Sequence, residues 1–316
     1  MDSTEVTSSK EVRQVIHNAT PPENYKIKDL KWKHLLRSIL RGKNVMFIGH
    51  SGCGKTEGAY QAAQYLDREL VRFNIGSMQD PRSALIGTRE ADDGSTYFHE
   101  SEFVRAIQRE DGPVILLDEL TRGGHEAWNI LMTVLDEKQR YLRLDEDDSE
   151  GEENIVRVHP SVSFIATANI GSAYTATRAL DRAVEDRFTY IETDLLDDEE
   201  EFDLLKTKFP DVDENALMYI AKVANDTRRE ADNESSILDR IISTRQTIEM
   251  AELVRDGFSF HEAAELLIYP LYDDDMGEDS ERSKVEKIVE RYEDVRVDEE
   301  FEDIFTDEEI QNAPSV

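Results

Sequence analysis

The segment Gly49-His50-Ser51-Gly52-Cys53-Gly54-Lys55-Thr56 constrains this chain more than any other feature in it. An apolar run at 44–48 precedes it and reads as a buried strand. The stretch after it, to about residue 66, reads as a helix. Strand, glycine-rich turn and helix in that order place backbone N–H groups around the positive end of a helix, which is a cradle for phosphate. Glycine lets the amides close around oxygen, Lys55 reaches the outer phosphates and Thr56 offers a hydroxyl to Mg²⁺. The expected ligands are therefore ATP, held by all eight residues from Gly49 to Thr56, and Mg²⁺, held by Thr56 and Asp118. Cys53 fills a variable position of the pattern, and an inert thiol is preferred there over a redox switch.

Leu116-Leu117-Asp118-Glu119 ends an apolar strand in two acids. A carboxylate at a strand tip can hold Mg²⁺ through water, and its neighbour can polarise an attacking water. Alone, the pair would equally suit the acidic start of a helix; behind an upstream phosphate loop it reads as catalytic. The run at 162–169 is another apolar strand, and its last residue, Asn169, is expected beside Asp118, where an amide can hold the attacking water. A capping asparagine is the competing reading. Arg187 stands just before a short strand at 188–191, away from its own nucleotide and facing a neighbouring subunit. An arginine supplied in trans is worth roughly 10³–10⁵ in phosphoryl-transfer rate. Arg182 is a second candidate, against which stands simple pairing with Asp181 and Asp186. Arg245, in the first half of a helix read over 237–255, could report the terminal phosphate to the region around it, or be an ordinary surface charge.

Helical periodicity at 29–41 and 125–137 alternates with strand signals at 44–48, 69–75, 113–118, 162–168 and 188–191. That alternation predicts a three-layer α/β domain over 25–193 with a parallel sheet. Two short strands at 140–144 and 154–158 are expected to be joined by the acidic block 145–153. Strand signals then vanish, and 194–275 reads as a small all-helical lid. Residues 1–24 read as a flexible lead-in, and 276–316 as an acidic extension with one amphipathic helix at 282–292. The 316 residues carry 70 Asp and Glu against 37 Lys and Arg, a net charge of −33. Such a field argues against nucleic acid and anionic membranes over most of the surface. The chain shows no apolar stretch of membrane-spanning length and no signal sequence, and one cysteine allows no internal disulfide. It is therefore expected in the cytoplasm.

These elements, in this order, resemble the AAA+ ATPases and, among them, the MoxR-type, dynein-related branch. Leu85-Ile86-Gly87, Asp93-Gly94 and 103–107 are similar to that branch's helix-2 insertion. The stretch from His159-Pro160 to Ala166-Thr167-Ala168-Asn169 resembles CobS-like cobaltochelatase ATPases, and 243–268 resembles the CbbQ/NirQ/GvpN group. The resemblance implies an αβα P-loop core of strand order 5-1-4-3-2 followed by a helical lid. It also implies Walker A ligands Lys55 and Thr56, a Walker B pair Asp118 and Glu119, sensor 1 Asn169, arginine finger Arg187 and sensor 2 Arg245. Tyr97 and Phe98 become candidates for a pore contact. The resemblance further implies a homo-oligomer, a closed hexameric ring, since a finger supplied in trans needs a head-to-tail neighbour. Relatives work with a von Willebrand A-domain protein and remodel, activate or metallate a protein target. The rival is a nucleic-acid translocase or clamp loader on the same core, for which pore-facing Arg82 and Arg89 would have to suffice.

Overall fold

Val114-Ile115-Leu116-Leu117 is too short for a core helix and too continuously apolar to leave either face in water, so it becomes an inner parallel strand. Every residue of that strand is buried. The computed structural model describes residues 8–92, 95–144, 154–169, 180–233, 236–275, 277 and 280–295. The chain divides into two units, one of residues 1–50 and 54–194, the other of 51–53 and 195–316.

In the first unit α1 (Ser9–Asn18) and α2 (Asp29–Leu40) lead to β1 (Val45–Gly49) and α3 (Lys55–Tyr65). Then come β2 (Leu70–Asn74), α4 (Pro81–Leu85), β3 (Gly87–Asp92), β4 (Ser95–Glu100) and α5 (Glu102–Ile107). They are followed by β5 (Val114–Asp118), α6 (His125–Leu135), β6 (Tyr141–Arg143) and β7 (Ile155–Arg157). The last three are β8 (Ser163–Asn169), α7 (Arg182–Glu185) and β9 (Thr189–Thr193).

The main sheet runs β2-β5-β8-β1-β9 and is parallel throughout. Counted within the sheet alone this is the order 5-1-4-3-2 that the resemblance implies. Alternation along each strand feeds two cores. Ile115, Leu117, Phe164 and Ala166 meet α4, α5 and α6 on one face, with Phe103, Trp128 and Leu131. Val114, Leu116, Ile165 and Phe47 meet α2 and α3 on the other, with Trp32, Leu36 and Ala62. Two separate antiparallel hairpins, β3·β4 and β6·β7, stand off the main sheet. The first occupies the expected insertion, with Tyr97 opposite Glu90. Phe98 packs partly against the core. Asp93-Gly94, the acidic block 145–153 and the tail from 296 lie outside the described residues.

The lead-in differs from expectation, because residues 9–18 form a helix. Ser8 and Glu11 make a reciprocal capping box, with the Glu11 carboxylate accepting from the Ser8 N–H at 2.7 Å. Val12 and Ala19 are buried, and Tyr25 joins the α2–α3 core. Among the described residues no helix is long and apolar enough to cross a membrane.

The second unit is helical: α8 (Asp198–Lys208), α9 (Glu214–Ala231), α10 (Thr244–Arg255), α11 (Phe260–Leu267) and α12 (Glu281–Val289). The helix expected over 237–255 begins only at Thr244. Gln246 reaches back to the Ser243 N–H (2.6 Å), and the Ile242 carbonyl accepts from Arg228 Nε (2.8 Å) rather than joining a helix. Leu238 and Ile242 enter the core from this irregular stretch.

Between α8, α9 and α10 a fully buried carboxylate, Glu201, takes Arg228 Nη1 at 2.8 Å, Thr247 Oγ1 at 2.5 Å and Thr244 Oγ1 at 3.2 Å. Breaking such a pair leaves an uncompensated buried charge and costs about 3–5 kcal/mol. Arg228→Met should therefore lower stability by about that amount in a urea titration followed by circular dichroism. Adding Glu201→Leu should recover about 1 kcal/mol or more. A double variant no more stable than the single one would show that the charge pair is not what holds these helices.

Candidate active site

Between β1 and α3 the backbone must turn tightly and present amides. Gly52 (φ +75°) and Gly54 (φ +89°) take left-handed conformations that side chains resist. Gly54 is the N-cap of α3, so the loop closes directly on the positive helix end. Lys55 is buried, and its Nζ donates to the carbonyls of Gly49 (2.9 Å) and His50 (2.5 Å). The ammonium is thus parked within the loop it serves.

Asp118, the last residue of β5, is 3% exposed. A buried carboxylate has to be paired or hydrogen-bonded. One oxygen, Oδ1, accepts from Thr56 Oγ1 of α3 (3.3 Å) and from Thr167 Oγ1 of β8. The other, Oδ2, meets Arg72 Nη2 of β2 at 2.5 Å. Thr167 also accepts the N–H of Glu119 (2.9 Å), so one hydroxyl fixes both acids. Asn74, in register with Asp118 on β2, keeps a buried Oδ1 that has no partner among the described residues.

Glu119 adopts a left-handed conformation (φ 54°, ψ 40°), rare for a side chain that long. Its carboxylate receives Arg122 Nη1 at 3.1 Å on both oxygens. Gly76 makes room for it, since a Cβ there would stand 2.8 Å from Glu119 Oε2 and 2.9 Å from Glu119 Cβ. Asn169 ends β8 in register with Gly49, at the same edge of the sheet. Glycine turn, helix start, hydroxyl, two acids and amide are thus collected at the carboxyl ends of β1, β5 and β8. Parallel sheets bind ligands at such an edge.

Arg187 lies at the opposite edge. Val45 is in register with Thr189 and Gly49 with Thr193, so Arg187 precedes the strand while the phosphate loop follows it. Its guanidinium donates to the carbonyls of Met132 (2.9 Å) and Ala183 and lies 3.3 Å from Asp136. Asp136 is held below the usual carboxylate range by the Lys138 and Gln139 N–H groups, and by Arg187. Arg182 is exposed on α7 and pairs with neither Asp181, which caps that helix, nor Asp186. Arg245 is exposed at the second position of α10 in the second unit, rather than within the first half of a longer helix.

Three contributors escaped the sequence. Thr167 was visible only as part of Ala-Thr-Ala-Asn, with nothing to separate it from a β-forming residue. Arg122 lies three residues after Glu119, a helical spacing whose significance needs the turn to be known. Arg72 left one clue, a lone charge between apolar neighbours in a strand.

The donor set suits a divalent cation and the triphosphate it accompanies: hard oxygens on Thr56 and Asp118, an unpartnered amide oxygen on Asn74, and a cradle of amides. Among known proteins, residues 44–188 match the AAA domain of the dynein-related subfamily, and 201–288 match the CbbQ/NirQ/NorQ C-terminal region. BssE of Thauera aromatica, whose name proposes a chaperone role, is 32% identical over 222 residues, 70% of this chain and 72% of that one. An uncharacterised protein of Staphylococcus saprophyticus is 26% identical over 215 residues, 67% of this chain and 78% of the other. A Thermotoga maritima RuvB mutant structure aligns with TM-score 0.48 at 17% identity, covering 75% of this chain and 66% of that one. By its matched domain, its relative and its sheet order, this chain belongs to the AAA+ P-loop proteins of the dynein-related subfamily, with a C-terminal region of the CbbQ/NirQ/NorQ type.

Proposed function

We propose that the chain hydrolyses ATP and spends the energy on remodelling, activating or loading metal or cofactor into a protein target. The observation that carries the chemistry is the meeting of Thr56 and Asp118, from different elements, at 3.3 Å, with Glu119 next in the chain. The loop amides and Lys55 bind the phosphates. Thr56 and Asp118 would hold one Mg²⁺, which supplies charge screening for the phosphates when bound. Glu119 takes a proton from the attacking water as its oxygen bonds to the terminal phosphorus and the bridging P–O bond breaks. Reaching that water requires the Glu119 carboxylate to leave Arg122. Asn169 orients the water from the neighbouring strand.

Arg187 completes the site of a neighbouring copy. A five-residue strand separates it from its own phosphate loop, roughly 16 Å at the rise of a β-strand. A head-to-tail contact that closes makes a ring, and six copies is the number the family resemblance implies. Arg245 is assigned to sensing the terminal phosphate. The match to the CbbQ/NirQ/NorQ C-terminal region and the chaperone role in a relative's name support a protein target. The von Willebrand A-domain partner is what the family resemblance implies, and the cytoplasm is the compartment the sequence reading expects.

ATP turnover by the purified chain, with mass measured by light scattering, tests this. A von Willebrand A-domain partner should stimulate turnover and favour the ring. Stimulation by single-stranded DNA alone would overturn the protein-target reading and leave the ATPase in place. Lys55→Ala should weaken nucleotide binding at least about tenfold by removing a charge-assisted contact; wild-type affinity would remove Lys55 from the phosphates. Glu119→Gln should bind ATP normally while turnover falls about 10²–10⁴-fold, the worth of a general base. Arg187→Ala should lose about 10³-fold or more in turnover with binding kept. Mixing it with the Lys55 variant should restore activity at hybrid interfaces, and a mixture as inactive as its components would rule out a finger acting in trans.

A further inference from the structure

Arg72 stands where nothing in the nucleotide motifs places a residue. Val71 and Phe73 point into the core beneath α4–α6, so Arg72 faces the other side of edge strand β2, where α3 packs. From there its Nη2 reaches Asp118 Oδ2 at 2.5 Å. The carboxylate assigned to the metal is therefore already paired with a cation of its own chain at Oδ2, while its Oδ1 faces Thr56 Oγ1.

The pair is lopsided. The Asp118 side chain is 5% exposed and that of Arg72 is 47% exposed. The buried pair in the second unit differs, with Glu201 and Arg228 at 0% and 6%. Arg228 is locked by further bonds to Ile242 and Leu196 carbonyls, whereas Arg72 reaches in from solvent through one guanidinium nitrogen. A half-exposed arginine can swing out and regain water at little cost, and Arg228 cannot.

We propose that Arg72 is a displaceable counter-ion for Asp118, a positioning residue that stands in for the divalent cation and sets how strongly nucleotide binding depends on Mg²⁺. Without metal, Arg72 cancels the carboxylate that would otherwise repel a nucleotide's phosphates. When Mg²⁺ arrives with the nucleotide, two cations compete for one carboxylate and the guanidinium gives way. Arg72 thereby strengthens metal-free binding and weakens the hold on Mg²⁺, which lowers the coupling between the two ligands. The inference rests on Asp118 being the metal-side carboxylate.

The test is binding of a fluorescent ADP analogue, mant-ADP, in EDTA and in excess Mg²⁺, read as the dissociation constant in EDTA divided by that in Mg²⁺. Arg72→Gln should raise that ratio about tenfold, chiefly through weaker binding in EDTA. Arg72→Lys, which keeps the charge, should stay within about twofold of wild type. If Arg72 merely oriented Asp118, the Gln variant would lose affinity in Mg²⁺ and the ratio would fall, overturning the proposal; an unchanged ratio overturns it too. Wild type gives an independent measurement should the Gln variant fold poorly. Dicarbonyl labelling of Arg72, followed by peptide mass spectrometry, should rise with Mg²⁺ plus ADP and not with ADP plus EDTA. Equal labelling in both would mean the guanidinium is not displaced. Equal binding of mant-ADP with and without Mg²⁺ by both wild type and Arg72→Gln would sink the metal assignment of Asp118 itself, an outcome separable from an unchanged ratio that still favours Mg²⁺, which fails the Arg72 role alone.

Discussion

A carboxylate buried at the tip of a parallel strand is the constraint around which the first unit is arranged. Asp118 sits nine-tenths or more out of water, and its charge survives there only because three elements bring it partners: Arg72 from β2, Thr56 from α3 and Thr167 from β8. Each partner depends on register. Arg72 is aligned with Leu116 two residues before Asp118, and Leu117 with Ala166 one residue before Thr167. A slip by one residue along β2 or β8 would turn the arginine or the threonine to the wrong face of the sheet and strand the charge. An unpaired buried ion costs several kcal/mol, comparable with the whole stability of a domain. The candidate site and the fold of the sheet are thus fixed by the same contacts.

The second unit solves the same problem with the same parts. Glu201 is held by one arginine and two threonine hydroxyls, as Asp118 is. The difference lies in access. Arg228 is buried and tied to backbone carbonyls, so Glu201 is a permanent junction of α8, α9 and α10. Arg72 is half in water and free to be replaced. In a chain with net charge −33, local compensation of this kind lessens the repulsion an anionic ligand would meet near these acids.

How much of this the sequence disclosed follows from the range of the interactions. The parallel strands were legible because their apolar runs are local and continuous, and Gly49–Thr56 because its chemistry lies within eight adjacent residues. Asp118 and Glu119 could be named from the strand end that carries them. Their partners could not, since Arg72 is 46 residues away and Thr167 is 49. The start of α10 was misplaced because Leu238 and Ile242 keep helical spacing with the residues after Ser243, though they enter the core from an irregular segment. That segment's Ile242 carbonyl is claimed by Arg228, a contact periodicity does not contain. Helix α1 had a local sign, the Ser8-to-Glu11 spacing of a capping box, outweighed by polar composition and the following prolines.

Glu119 shows why the acid pair needs its surroundings as well as its motif. A left-handed backbone at a glutamate costs about 1–2 kcal/mol, which local contacts have to offset. The Thr167 hydroxyl takes its N–H, Arg122 takes its carboxylate, and Gly76 leaves the space in which both fit. Among the described residues the two adjacent acids do not share one cation. Asp118 faces Arg72 and Thr56; Glu119 faces Arg122. Each of the two neighbouring carboxylates therefore has an arginine of its own, Arg72 for Asp118 and Arg122 for Glu119, and separate electrostatic partners are what the different duties proposed for them require.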